Sequence, residues 1–146
     1  MGYTHYWEPT RSFNDLEWKE ISSKASKLLT EAGVPVQLED DNPRPPRIDE
    51  DVILFNGVGE DGHEPFCLSR KPNSTFEFCK TARKPYDVLV CSVLLIAHKV
   101  ASDALDISSD GYAEEWLPAV DLLTRIFDED FSLPNGLDLA PAERRL

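Results

Sequence analysis

The chain has 146 residues and a mass of 16.5 kDa, which is the size of one ordinary globular domain. It carries 15 Lys and Arg residues against 27 Asp and Glu residues, so its formal net charge is −12. This net charge argues against nonspecific binding to a nucleic-acid polymer or to an anionic membrane surface, because both need a cationic face.

The targeting signals that the sequence lacks and the number of its cysteines indicate the cellular compartment of the protein. No apolar run reaches the roughly 20 residues of a membrane span, and the first residues lack the pattern of a signal peptide. Three cysteines, Cys67, Cys79 and Cys91, are an odd and sparse set that is typical of reduced thiols. We therefore expect a cytoplasmic protein with no membrane partner.

The N-terminal third predicts one strand and one helix. Residues 3–7 are aromatic and β-prone, and strand alternation puts Tyr3 and His5 on one face and Tyr6 on the other. Asn14 then stands at a helix N-cap with Glu17 as its capping-box partner. Apolar residues at spacings of three and four follow this cap, which indicates an amphipathic helix.

The middle of the chain predicts a loop, three strands and a buried helix. Residues 39–51 contain six acids and three prolines, and we expect an exposed loop there. Three short strands over residues 52–55, 63–69 and 75–80 predict an antiparallel meander. Residues 88–101 are apolar nearly all round, which is typical of a helix covered on several sides.

The last elements are a strand over residues 105–108 and a helix over residues 112–127. The order β-α-β-β-β-α-β-α predicts an α+β fold, with an antiparallel or mixed β-sheet and about three helices packed mainly on one face. We expect residues 1–127 to form a single α+β domain and residues 128–146 to form a C-terminal tail.

A basic stretch is the strongest local signal of function. Five of the 15 basic residues fall within residues 70–84, immediately before a helix that Pro85 begins. Free backbone N–H groups and the helix dipole attract an anion at such a terminus, with Lys80, Arg83 and Lys84 as counter-charges. The alternative is a solvated surface turn that pairs with the acidic loop.

Other candidate groups surround this stretch in the sequence. Residues 57–62 match the dinucleotide-binding motif G-x-G-x-x-G, which has to be followed by a helix. A strand-like segment follows them here, so we interpret these residues as a flexible turn or as a lid beside a binding cleft. Aromatic faces beside an anion site suit a nucleobase, although core packing is the alternative for each ring. The expected ligand-binding residues are Tyr3, His5, Tyr6, His63, Glu64, Lys80, Thr81, Arg83, Lys84, Tyr86, Ser109 and Asp110.

The histidines and cysteines lack the spacing of a metal site. There is no C-x-x-C pair and no H-E-x-x-H motif, so we expect no metal, no cofactor and no catalytic residue. Cys91 and His98 share one helix face and could form a nucleophile pair, but a buried small thiol is the favoured interpretation.

The chain resembles a family of small proteins that bacteriophages and some bacteria encode. The resemblance covers residues 1–127, and its segments are MGYTHYW (1–7), FNG (55–57), HEPF (63–66), FCKTARKPYD (78–87) and SDG (109–111). The family has no assigned activity, so the resemblance implies a phage context and no catalytic residues. Small phage proteins of this kind often counter host defence, either by sequestering nucleotide messengers or by blocking immune proteins.

These observations favour a non-enzymatic binding protein for a small phosphorylated nucleotide, acting in the host cytoplasm as a sponge for an immune second messenger. One alternative is an acidic inhibitor that binds a host defence protein. Another is a nucleotide phosphoesterase that uses His63 and Glu64. The edge strand at residues 3–7 also allows a homo-oligomer.

Overall fold

The computed structural model describes residues 2–39 and 43–139. Seven strands and three helices lie within them: β1 (Thr4–Pro9), α1 (Asp15–Glu31), β2 (Val36–Gln37), β3 (Arg47–Ile48), β4 (Val52–Gly57), β5 (Phe66–Ser69), β6 (Glu77–Lys80), α2 (Asp87–Val100), β7 (Leu105–Ser109) and α3 (Leu117–Phe127). Single 3-10 turns cover Gly59–Asp61 and Ala113–Trp116. The expected α+β class is confirmed, and the two-residue strands β2 and β3 are additions that the sequence did not predict.

The strands form two antiparallel sheets instead of one. In the first sheet β1 is central, with β6 and β7 on its two sides, and His5 lies opposite Cys79 on one neighbour and Ser109 on the other. In the second sheet β4 is central and pairs with β2, β3 and β5, and β3 and β5 lie opposite the same β4 residues, Ile53 and Leu54.

The expected meander is formed only in part. β4 and β5 pair as predicted, whereas β6 pairs with β1 in the other sheet. The loop of residues 70–76 is long enough to carry the chain from one sheet to the other. Local patterning shows that a segment is a strand, but the choice of partner depends on which apolar faces meet in the core.

The helix α2 forms the centre of the core. Every residue from Leu89 to Ala97 is buried, and α2 packs against both α1 and α3. Full burial of one such leucine or valine side chain stabilises the fold by about 1.5–3 kcal/mol. The ring centroids of Trp7 in β1 and Phe66 in β5 lie 5.3 Å apart, and this contact joins the two sheets.

Among residues 2–39 and 43–139, no helix combines the length and apolarity needed to cross a bilayer.

Part of the expected tail packs on the core. Phe131 is buried, Leu133 and Leu137 are partly buried against the core, and the Ala113 N–H donates to the Asp138 carbonyl at 2.7 Å. The tail interpretation for residues 140–146 and the acidic-loop interpretation for residues 40–42 lie outside the described residues.

The predicted capping box of α1 is present and can be tested. The Asn14 side chain accepts from the Glu17 N–H at 2.8 Å, and the Glu17 carboxylate accepts from the Asn14 N–H at 2.9 Å. Asn14→Ala is expected to lower the free energy of unfolding by about 1 kcal/mol, because an N–H at the helix start loses its acceptor. Urea unfolding followed by circular dichroism measures this change.

A matched control for this variant is Ser23→Ala, at an exposed position in the middle of the same helix. Alanine has the higher helix propensity, so this variant is expected to be neutral or slightly more stable. Equal losses in the two variants would contradict the role of Asn14 as a cap.

Candidate functional site

A cleft of about 370 Å³ opens at the N-terminal end of α2. The residues that give it chemical character are Tyr3, Arg83, Lys84, Asp87, Cys91 and Glu115. They come from the start of β1, the turn before α2, the first two turns of α2 and the 3-10 turn before α3. The cleft therefore lies where the first sheet meets the layer of helices.

A buried imidazole lies beneath this cleft. His5 is fully buried on β1; its Nε2 atom lies 2.6 Å from Asp87 Oδ1, and its Nδ1 atom lies 2.7 Å from Ser109 Oγ. An ionised carboxylate only accepts, so this pattern assigns the proton to Nε2, and Ser109 then donates to Nδ1. The Ser109 oxygen in turn accepts from the Gly111 N–H at 2.9 Å.

A cysteine completes the cluster under the cleft. Cys91 Sγ lies 3.4 Å from His5 Nε2 and 3.9 Å from Asp87 Oδ2. Asp87 and Cys91 are four residues apart on α2, which puts them one above the other on the same face. Burial, and then the nearby Asp87 carboxylate, raise the pKa of the Cys91 thiol well above its usual value. By itself the thiol therefore stays protonated at neutral pH and is not an activated nucleophile.

Side chains around the cluster hold these groups in place. The Thr81 hydroxyl donates to Asp87 Oδ1, and the rings of Tyr3 and Trp116 lie edge-on to the His5 ring at centroid distances of 5.1 and 5.0 Å. A Cβ atom at Gly111 would collide with the Tyr3 hydroxyl, so a glycine there leaves room for the ring. The cluster is thus rigidly supported by two strands, one helix and the turn before that helix.

The rim of the cleft carries mixed charge. The Arg83 guanidinium carbon lies 3.9 Å from the centroid of the Tyr3 ring, and Arg83 also pairs with the Glu115 carboxylate. Burial acts to raise the pKa of Glu115, but the hydrogen bond from Arg83 leaves that pKa below its ordinary value. In the part of the chain that the structure describes, Lys84 forms no ion pair, so its ammonium group is available to a ligand.

The turn that presents Arg83 has an unusual backbone. Ala82 and Arg83 are consecutive non-glycine residues in the left-handed region, with φ angles of 51° and 59°. The Thr81 and Ala82 N–H groups both donate to the Tyr3 carbonyl, at 3.0 and 3.3 Å, which fixes the turn to β1. The left-handed conformation costs roughly 1–2 kcal/mol for a residue with a Cβ, and such strain concentrates at functional sites.

Half of the residues predicted from sequence lie in the cleft or directly beneath it. They are Tyr3, His5, Thr81, Arg83, Lys84 and Ser109. The anion-site interpretation of the basic stretch put Lys80, Arg83 and Lys84 near the start of α2, and of these Arg83 and Lys84 line the cleft. Pairing of the basic stretch with the acidic loop is not seen for Arg83, which pairs with Glu115 instead.

Two tyrosines that we expected to face a ligand do not face the cleft. Tyr6 lies on the outer face of β1, where its hydroxyl donates to Asp110 Oδ1 at 2.9 Å and its ring stacks on Phe76. Tyr86 is fully buried, and its hydroxyl donates to the Glu64 carbonyl at 2.5 Å. The Tyr86 ring thus offers no free face for stacking, because the core covers it.

Four predicted residues remain, and none of them lines the cleft. Asp110 follows β7 and accepts from the Thr4 N–H at 3.1 Å, whereas the other three lie at or near β6. Glu64 accepts from the Lys80 N–H at 3.0 Å, and His63 donates its N–H to Asn56 Oδ1 at 3.0 Å. The Lys80 ammonium lies 6.0 Å from the centroid of the Phe78 ring. Lys80 was predicted because it is close to Arg83 in sequence, but strand alternation puts its exposed side chain on the face of β6 opposite the buried Cys79.

The acidic and thiol groups of the cluster were not among the site residues predicted from the sequence. The favoured interpretation of Cys91 as a buried thiol is confirmed, but the structure puts this thiol against His5 of β1 and not against His98. Asp87 lies in the first turn of α2, where an acid interacts favourably with the helix dipole, and its hydrogen bond with His5 was not predicted. The available signal was that His5 faces inward on a strand, where an imidazole needs polar partners.

No family model, no curated protein and no solved structure matches the chain. The chemistry of the site therefore has to be argued from its own residues. The rim offers two cations beside two carboxylates, which suits a ligand with both an anionic group and hydrogen-bond donors. Beneath it, the ligand-type atoms of His5, Asp87 and Cys91 all lie within 4.8 Å of one another.

The left-handed turn yields a testable prediction. Ala82→Gly is expected to raise the free energy of unfolding by up to about 1 kcal/mol, because glycine adopts positive φ without a Cβ penalty and this relief exceeds its entropic cost. Ala32→Gly is the matched control, since Ala32 has a right-handed φ of −69° at the end of α1. The control is expected to lose stability in the same urea titration. A loss of equal size at position 82 would show that this turn is not strained.

Proposed function

We propose that this protein binds a small phosphorylated nucleotide in the cleft at the start of α2 and does not convert it. The observation that carries the proposal is the pair of cations, Arg83 and Lys84, at the mouth of this cleft. A guanidinium contacts two phosphate oxygens at once, and the adjacent ammonium adds a second charge. The helix dipole of α2 acts in the same direction.

The carboxylates in the cleft favour a nucleotide over a bare anion. Asp87 and Glu115 line the same space as the two cations. They repel a small inorganic anion, but they accept hydrogen bonds from ribose hydroxyls or from the amino groups of a base. The volume of about 370 Å³ also falls within the usual range of small-molecule sites, roughly 300–1,000 Å³.

Binding without conversion is supported by the state of the groups beneath the cleft. Both ring nitrogens of His5 are within hydrogen-bond distance of protein groups, and the ring is fully buried. The Cys91 thiol is protonated for the reasons given above. His63 and Glu64, which the phosphoesterase hypothesis used, lie outside the cleft lining. In the phage context that the resemblance implies, we infer that the role is to sequester a nucleotide messenger of host defence.

Calorimetric titration with nucleoside mono-, di- and triphosphates and cyclic dinucleotides tests this proposal. We expect one of these probes to bind and to be recovered intact. Arg83→Glu and Lys84→Glu are each expected to weaken the Kd of that probe at least about tenfold, because a charge-assisted hydrogen bond contributes about 1.5–3 kcal/mol.

Lys71→Glu makes the same charge change at an exposed lysine outside the cleft lining and serves as the control. It is expected to leave the Kd within about twofold of the wild-type value, since only screened long-range electrostatics changes. The proposal fails if no probe binds, if Arg83→Glu binds as tightly as the wild type, or if the probe is recovered as a converted product.

A further inference from the structure

The cluster beneath the cleft contains one nitrogen, one oxygen and one sulfur donor. His5 Nε2 lies 2.6 Å from Asp87 Oδ1 and 3.4 Å from Cys91 Sγ, and Cys91 Sγ lies 3.9 Å from the other carboxylate oxygen, Asp87 Oδ2. One ligand atom from each of the three residues lies within 4.8 Å of the other two. We propose that these three residues form a binding site for a divalent transition-metal cation of the zinc class. This site shares Asp87 with the lining of the cleft but does not include the two cations, Arg83 and Lys84, and it goes beyond the function proposed above.

The separations are close to those of a tetrahedral metal site. Bonds of about 2.0–2.3 Å at tetrahedral angles put neighbouring ligand atoms about 3.3–3.6 Å apart. The distance of 3.4 Å from Cys91 Sγ to His5 Nε2 already fits, and the distance of 3.9 Å from Cys91 Sγ to the nearer carboxylate oxygen, Asp87 Oδ2, is slightly long. Only the His5–Asp87 distance of 2.6 Å is short, because a proton lies between the two atoms. When a metal ion takes the place of this proton, a modest shift of the two side chains lengthens the distance between His5 Nε2 and Asp87 Oδ1.

Charge balance also favours a divalent cation. The metal displaces the proton of the Cys91 thiol, which passes to the solvent. The proton of the His5 imidazole moves from Nε2 to Nδ1, where it is donated to Ser109 Oγ. A thiolate, a carboxylate and a neutral imidazole then offset the two positive charges of the ion, so the occupied site is neutral. A neutral buried site avoids the large desolvation penalty of an unpaired charge.

The groups behind the ligands have the arrangement that metal sites require. Ser109 lies 2.7 Å from Nδ1 of His5, which fixes the ring so that Nε2 faces α2. Metal-ligating histidines almost always have such a partner on the other nitrogen. Thr81 donates to the Asp87 carboxylate, and Asp87 and Cys91 come from consecutive turns of one helix. The geometry is therefore set before an ion binds.

The donor set selects the metal. Mg²⁺ and Ca²⁺ prefer oxygen ligands, whereas a mixed sulfur, nitrogen and oxygen set suits Zn²⁺ and its spectroscopic substitute Co²⁺. Asp87 and Cys91 also line the cleft. A metal held by these three residues thus has its fourth position towards the cleft, which is open to water or to a ligand.

The test uses the full chain, freed of metal by a chelator and kept reduced, and titrates it with Co²⁺ and then Zn²⁺. We expect one Co²⁺ per chain, with the intense visible bands of tetrahedral cobalt and a thiolate-to-cobalt charge-transfer band in the near ultraviolet. Zn²⁺ is expected to displace the cobalt and to raise the Tm. Absence of these bands at one equivalent of Co²⁺ would overturn the proposal.

Variants identify the ligands. Cys91→Ser is expected to abolish the charge-transfer band and to weaken the Kd for Zn²⁺ by at least about a hundredfold, more than loss of a supporting group costs. Asp87→Asn keeps the side-chain shape and is expected to weaken the Kd as well, so the test does not depend on one variant folding. Cys67→Ser removes an exposed thiol outside the cluster and is expected to leave both signals unchanged.

The metal titration and the nucleotide titration can fail independently of each other. Arg83→Glu is expected to bind Co²⁺ like the wild type, because Arg83 does not belong to the three ligands. The metal proposal fails if Cys91→Ser and Asp87→Asn both keep wild-type spectra, or if Cys67→Ser loses the bands, which would identify adventitious binding at the exposed thiol.

Discussion

The hydrogen bonds of the His5 imidazole connect the elements that form the site. A fully buried ring with two polar nitrogens is costly unless both are satisfied. Ser109 satisfies one nitrogen from β7, and Asp87 satisfies the other from the first turn of α2. These two contacts fix the orientation of the central helix relative to the first sheet, and so they determine where the cleft opens.

The residues at the rim of the cleft and the cluster beneath the cleft are held in place by the same contacts. The Tyr3 carbonyl accepts the N–H groups of Thr81 and Ala82, and the Tyr3 ring lies under the Arg83 guanidinium. Thr81 then reaches Asp87, which belongs to the cluster below. The cation that we assign to a phosphate and the carboxylate that we assign to a metal are therefore held by one strained turn. A ligand spanning both would contact groups that are already positioned.

Much of the architecture was predictable from local patterns. The Asn14 cap, the apolar periodicity of α1 and the continuous apolar run of α2 each depend on neighbouring residues, and each is present in the structure. The clustering of Arg83 and Lys84 before α2 was visible for the same reason. Strand pairing was harder to predict, because β6 could satisfy its backbone equally well with β5 or with β1, and only the packing of the core selects β1.

The sequence by itself determined the α+β class, the helices and a basic helix start in an acidic chain. These properties follow from composition and short-range spacing, which act within a few residues. Only the tertiary structure decided that Cys91 meets His5 across 86 positions and that Tyr86 is buried in the core. Such contacts depend on how two faces pack, and that packing is set by the whole core and not by any single segment.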